Sequence, residues 1–150
     1  MRKLTSLLSL STVTLLALST VQAQPAQTFP IGEGYLFQEV AKDPALAQQF
    51  AQITEPLNTH FPWVAKYGTA TPAESIKVDG KEYTVYQGCK PHNCPAESYV
   101  VVYSPTDKKM VAGAFVQNKY DAPNLLVESK ISWLGQNAAD FAPAISHYLY

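Results

Sequence analysis

Apolar positions in this chain recur at helical spacing in its first third and at its end, and with a period of two in between. Tyr35–Lys42 places Leu36 and Val40 on one face of a short helix. Asp43-Pro44 then offers an N-cap oxygen followed by proline at the first helical position, where a missing N–H costs nothing. Leu46, Ala47, Phe50 and Ala51 follow as the stripe of a core-facing helix. Glu55-Pro56 ends it, because proline disfavours the helical conformation of the residue before it. Residues 57–72 are irregular, punctuated by Pro62, Gly68 and Pro72 and anchored by Phe61 and Trp63. From Glu74 the period is two: Ile76 and Val78 alternate with Lys77, Asp79-Gly80 is a hairpin turn, and Tyr83 and Val85 alternate with Thr84 and Tyr86. Tyr99–Tyr103 is apolar on both faces, which predicts a central strand.

Ser104–Asp107 turns the chain into a fourth strand, Lys109–Val116, with Gly113 inside it. Gln117–Asn124 reads as a polar loop. In a fifth strand with one wet face, Leu125, Val127, Ile131 and Trp133 alternate with Glu128, Lys130 and Ser132. After a turn at Gly135–Ala139, Phe141, Ile145, Tyr148 and Leu149 mark a last helix, in which Pro143 is tolerable if the helix starts near Asp140. Short connections make successive strands antiparallel. The predicted fold is therefore α+β: a five-stranded antiparallel meander with helices packed on one face.

The ends and the charge refine this. Arg2 and Lys3, the uncharged run Leu4–Leu18 and the small-residue site Val21-Gln22-Ala23 have the form of a secretory signal peptide. Ser and Thr interrupt the run and no basic stop-transfer cluster follows, which argues against a membrane anchor. The first cysteine is Cys89, which argues against a lipoprotein. The expected organisation is a cleaved segment 1–23 and one domain, 24–150, with a loose leader Gln24–Pro30 and no membrane attachment after cleavage. Losing Arg2 and Lys3 takes the 11 basic residues to 9 against 12 acidic, a formal −3 that argues against a nucleic-acid partner. Export combined with two cysteines implies one disulfide.

Both cysteines lie in Gly88-Cys89-Lys90-Pro91-His92-Asn93-Cys94-Pro95, between two predicted strands. As a structural staple, so short a ring contributes roughly 2 kcal/mol. Three chemical alternatives fit less well. Redox pairs are usually Cys-x-x-Cys at a helix start, whereas this is Cys-x4-Cys between strands. A zinc site would need Cys89, Cys94 and His92 with His60 or His147, and ligands packed this closely lack the usual spacing. A Cys-His nucleophile needs a free thiol in an oxidising compartment. His60 and His147 read as surface or helix-face residues. Paired carboxylates, a Ser-His-Asp order and a Gly-rich phosphate loop are missing, so the sequence advertises neither an enzyme nor a cofactor site. It advertises a preorganised loop with a cation and an imidazole at its tip.

Cys89-Lys90-Pro91-His92-Asn93-Cys94 resembles the Cys-Lys-Pro-His-Asp-Cys signature of the inhibitor of vertebrate lysozyme (Ivy) family. Pro62-Trp63-Val64, Gly68-Thr69, Thr71-Pro72-Ala73, Tyr83 and Ser132-Trp133-Leu134 fall in the family's order, so the resemblance covers roughly Phe61–Gly135. It implies a periplasmic inhibitor of C-type lysozymes, monomeric or homodimeric, that occludes the active-site cleft. Lys90, Pro91, His92 and Asn93 would form the key, held by Cys89 and Cys94, with His92 meeting the two catalytic carboxyl groups. An acidic protein with a cationic tip suits a basic lysozyme. Asn93 departs from the family's carboxylate, keeping its shape and an acceptor oxygen but not its charge. That departure leaves open a relative that has ceased to inhibit and binds a lytic transglycosylase or other envelope components.

Overall fold

The computed structural model describes residues 34–149; the expected signal peptide and the leader Gln24–Pro30 lie outside them. In chain order the elements are α1 (Leu36–Val40), α2 (Pro44–Thr54), β1 (Thr69–Ala70), β2 (Glu74–Val78), β3 (Lys81–Cys89), β4 (Glu97–Ser104), β5 (Lys109–Ala122), β6 (Leu125–Leu134) and α3 (Ala138–Ile145). Short 3-10 turns follow α2 at Glu55–Leu57 and α3 at Ser146–Tyr148. The Asp43 carboxylate caps α2, accepting from the backbone N–H groups of Ala45 and Leu46 at 2.9 and 3.2 Å.

The sheet is antiparallel throughout and ordered β1-β3-β4-β5-β6, with β2 on the same edge of β3 as β1. The expected meander is thus β2 to β6, and the two residues of β1 extend it beside the end of β3. The helices divide between the two faces instead of sharing one. Leu36, Leu46, Phe50 and Leu57 pack with Tyr86, Tyr99, Val101 and Phe115 on the first face. Phe141, Ile145 and Leu149 pack with Val85, Val100, Val102 and Ala114 on the second. β4 dictates this arrangement, since a strand apolar on both sides leaves one side wet unless both are covered.

Three expectations about the C-terminal half are corrected. Gln117–Asn124 is not a loop: β5 runs to Ala122, pairs with β6, and turns at Pro123-Asn124, with Asn124 at φ +67°. Its polar composition reports exposure instead, because β4 stops pairing at Glu97↔Gln117 and the β5–β6 ribbon continues beyond the sheet with both faces in water. For the same reason β6 does not bury one face there; Leu125, Leu126 and Val127 are exposed, as is Trp133 nearer the sheet. α3 starts at Ala138, so Pro143 lies in its second turn and supplies no N–H to the Ala139 carbonyl.

Under the first face, the Tyr86 hydroxyl donates to Glu39 Oε2, and Glu39 Oε1 accepts from the Gly34 N–H at 3.0 Å. Burial, and then Glu39, push the Tyr86 hydroxyl far above its usual range; burial, and then Tyr67, do the same for Tyr99. A raised folded-state pKa stabilises the fold fully below the unfolded value near 10, and that stabilisation is lost as pH rises toward the folded value. Stability should therefore fall above pH 10 by roughly 1.4 kcal/mol per pH unit for each of these tyrosines. Alkaline difference absorbance followed together with circular dichroism checks this. Titration of all the tyrosines near pH 10 with the fold intact would contradict it.

Candidate functional site

β3 ends at Cys89, which pairs with Ser98 of β4, and the Lys90 N–H donates to the Glu97 carbonyl at 2.9 Å. The neck of the loop is thus the last rung of the ladder, and the segment beyond it projects from the end of the sheet. Cys89 and Cys94 are joined, with Cα atoms 4.7 Å apart. With both sulfurs committed, neither is a thiolate ligand or nucleophile. Inside the ring the Asn93 N–H donates to the Lys90 carbonyl at 2.9 Å, with Pro91 and His92 at the corner and His92 at φ +63°. Proline followed by a positive φ is the pattern of a type II turn, whose second corner ordinarily favours glycine. Placing histidine there costs roughly 1–2 kcal/mol. In exchange the imidazole stands at the tip, and Pro91 through Pro95 are all exposed. Such backbone outliers collect where a side chain has to be aimed.

The loop's foundation is a carboxylate that sequence reasoning missed. Glu97, with a side chain 17% exposed, accepts from Lys90 Nζ at 2.8 Å through one oxygen and from Trp63 Nε1 at 2.8 Å through the other. Lys90 is therefore paired within the protein, although its side chain is still 39% exposed beside the tip. The signal was present in Trp63, because a half-buried indole N–H needs an acceptor. The Trp63 ring stacks on Tyr99 at 5.9 Å, and the Tyr99 hydroxyl donates to the Tyr67 carbonyl at 2.8 Å. Two glycines let these parts close up. A Cβ at Gly68, which has φ +63°, would strike the Cys89 carbonyl oxygen and the Trp63 ring, and one at Gly88 would lie 2.5 Å from the Tyr99 ring. On the other flank Asn118 Nδ2 and the Tyr120 hydroxyl donate to the Pro95 carbonyl at 2.9 and 3.3 Å. Asn93 serves the loop through its backbone, its carbonyl accepting from Ala96 N–H at 3.1 Å, while its side chain is exposed.

The other candidate residues are not gathered here. His60 borders a cleft of about 510 Å³ between the end of α2 and β6, and the His147 ring lies against that of Tyr148 in a tilted contact, centroids 3.8 Å apart. Among the described residues no group of three His, Cys, Asp or Glu side chains is placed to hold a metal ion.

The bracing by Glu97 has a measurable consequence. Glu97→Ala leaves the Trp63 N–H without its acceptor and Lys90 without its counter-ion, at a cost of about 1–2 kcal/mol. The thermal midpoint should fall by roughly 3–8 °C. Glu97→Gln keeps an acceptor for Trp63 and should lose less than half of that. Equal losses in the two variants would show that the indole bond contributes nothing.

The family model for inhibitors of vertebrate lysozyme (Ivy) matches residues 45–138 of the chain. Two relatives named inhibitor of vertebrate lysozyme, from Escherichia coli (strain K12) and Escherichia coli O157:H7, are each 33% identical over 79 residues, which is 51% of this chain. The match covers 46% of either relative, so the chain spans about half the length of the relatives it matches. The matched region contains the loop, Glu97, Trp63 and both glycines.

Proposed function

We propose that this chain, which belongs to the inhibitor of vertebrate lysozyme (Ivy) family, inhibits a C-type lysozyme by placing the Cys89–Cys94 loop in its active-site cleft. The observation that carries the reading is the attitude of His92: exposed, at the tip of a closed ring, on a backbone held at φ +63°. A retaining glycosidase sets two carboxyl groups about 5–5.5 Å apart across the scissile bond. An imidazole has a nitrogen at each side of its ring and, as imidazolium, donates from both. Entering between the carboxyl groups, it satisfies both acceptors and offsets their charge, in a cleft that then has no room for substrate. Pro91 keeps the tip narrow. Lys90 acts from behind, through Glu97, holding the loop's neck to Trp63. Because the loop is set beforehand, little ordering cost is charged to binding.

Asn93 enters this scheme through shape. Its backbone closes the turn, which an amide does as well as a carboxylate. The protein is expected to work in the periplasm as the processed chain 24–150. A mature protein recovered from that compartment with residues 1–23 still attached would contradict this.

Titrating a hen-type C-type lysozyme with the processed chain tests the function. Lytic activity should fall linearly to near zero at one inhibitor per enzyme. Unchanged activity at a large molar excess, together with recovery of a lytic transglycosylase from envelope extracts, would overturn the reading in favour of an envelope-binding role.

A further inference from the structure

The loop does not project alone. Beyond the last β4–β5 pair, Glu97↔Gln117, the β5–β6 ribbon continues for five more residues of β5, about 16 Å at the usual rise of a strand. It leaves the same end of the sheet as the loop, and Asn118 and Tyr120 tie it to the loop's base through the Pro95 carbonyl. Its apolar residues are conspicuous: Tyr120 is 38% exposed, Leu125 53%, Leu126 43% and Val127 52%. Tyr120 and Leu126 are cross-strand partners and so share a face. That face, with Cys94, Pro95, Tyr148 and Leu149, borders a groove of about 310 Å³ running between ribbon and loop.

We infer that this groove is the second half of the inhibitory surface: as the loop enters the enzyme's cleft, one lip of that cleft seats between loop and ribbon, against Tyr120 and Leu126. The inference rests on the loop-insertion reading above and extends it. Two observations carry it. The five exposed residues of the loop are too few for a stable complex, which needs about 20–30 residues, or roughly 800 Å², on each side. The missing area has to adjoin the loop, and among the described residues the ribbon brings exposed apolar side chains there. Geometry supplies the second. Any cleft deep enough to receive the ring has walls, and the wall on this side meets the groove, because Pro95 is at once the root of the loop and the groove's edge. The occupant is therefore an apolar, convex protein edge flanking the same cleft.

Leu126→Asp tests this, with Val127→Asp as the control. Val127 is on the same strand and comparably exposed, but it is skipped in the pairing with β5 and does not line the groove. Both sites are exposed, so the thermal midpoint should be unchanged in each. Leu126→Asp should raise the inhibition constant against hen-type lysozyme by about 10- to 100-fold, chiefly through faster dissociation, and Val127→Asp by less than threefold. If the parent inhibits and Leu126→Asp inhibits equally well, the groove is not part of the interface and the loop reading survives alone. If both substitutions dissociate a dimer and leave inhibition unchanged, the ribbon pairs with a second copy and the inference is overturned. A parent that does not inhibit overturns the loop reading and this inference together.

Discussion

Replacing His92 by alanine is expected to weaken lysozyme inhibition by roughly 30- to 1,000-fold while leaving thermal stability where it was. The two halves of that expectation have separate causes. A side chain buried at the centre of an interface and bonded to charged partners is the kind whose truncation costs about 2–4 kcal/mol, or roughly 30- to 1,000-fold. The larger values arise because the carboxyl groups it met are left buried and unpaired. In the free protein, by contrast, His92 is exposed and packs against nothing that its loss would disturb. Its φ of +63° provides a sharper comparison. Glycine is unstrained there, so His92→Gly should be as stable as the parent or slightly more so, yet fail as an inhibitor like the alanine variant. Inhibition kinetics and thermal melts on the three proteins check this. Full inhibition by either variant would mean that the ring, and not the imidazole, blocks the cleft.

What was legible in the sequence follows from how local each signal is. The α2 cap, the Asp79-Gly80 hairpin and the two-sided strand Tyr99–Tyr103 are written within a few residues of each other, and all three stand in the structure. The cysteine ring was equally local, as was the match of its hexapeptide. The foundation was not. Glu97 lies 34 residues from Trp63, and only the folded sheet brings the indole N–H to it. Read alone, Lys90 looks like a cation offered to a partner; its pairing with Glu97, three residues past the ring, is visible only in the folded loop. The β5–β6 ribbon was misread for a different reason. Polar residues in a strand normally alternate with apolar ones because one face is covered, and Gln117–Asp121 lacks a covered face, so its pattern matches a loop. Exposure of both faces is a property of what lies beside a strand and is invisible from within it.

Breaking the disulfide separates what the ring contributes to the fold from what it contributes to binding. The double variant Cys89→Ser, Cys94→Ser should lose about 2 kcal/mol of stability, the chain entropy of a very short ring. The sheet below is unaffected: the Lys90 N–H to Glu97 carbonyl bond, the Lys90–Glu97–Trp63 chain and the Asn118 contact to Pro95 all lie outside the bond being removed. What is freed is the tip, Pro91 to Asn93. Ordering a residue costs roughly 1–2 kcal/mol, less at a proline whose φ is already fixed. The variant must meet that cost when it binds, whereas the parent met it on folding. Inhibition should therefore weaken by about 2–4 kcal/mol, some 30- to 1,000-fold, in a protein that still melts cooperatively only several degrees lower. Affinity and midpoint measured on the same sample at 25 °C distinguish the cases. If inhibition at that temperature is retained, the turn and the Glu97 brace hold His92 in place by themselves, and the disulfide serves only the fold.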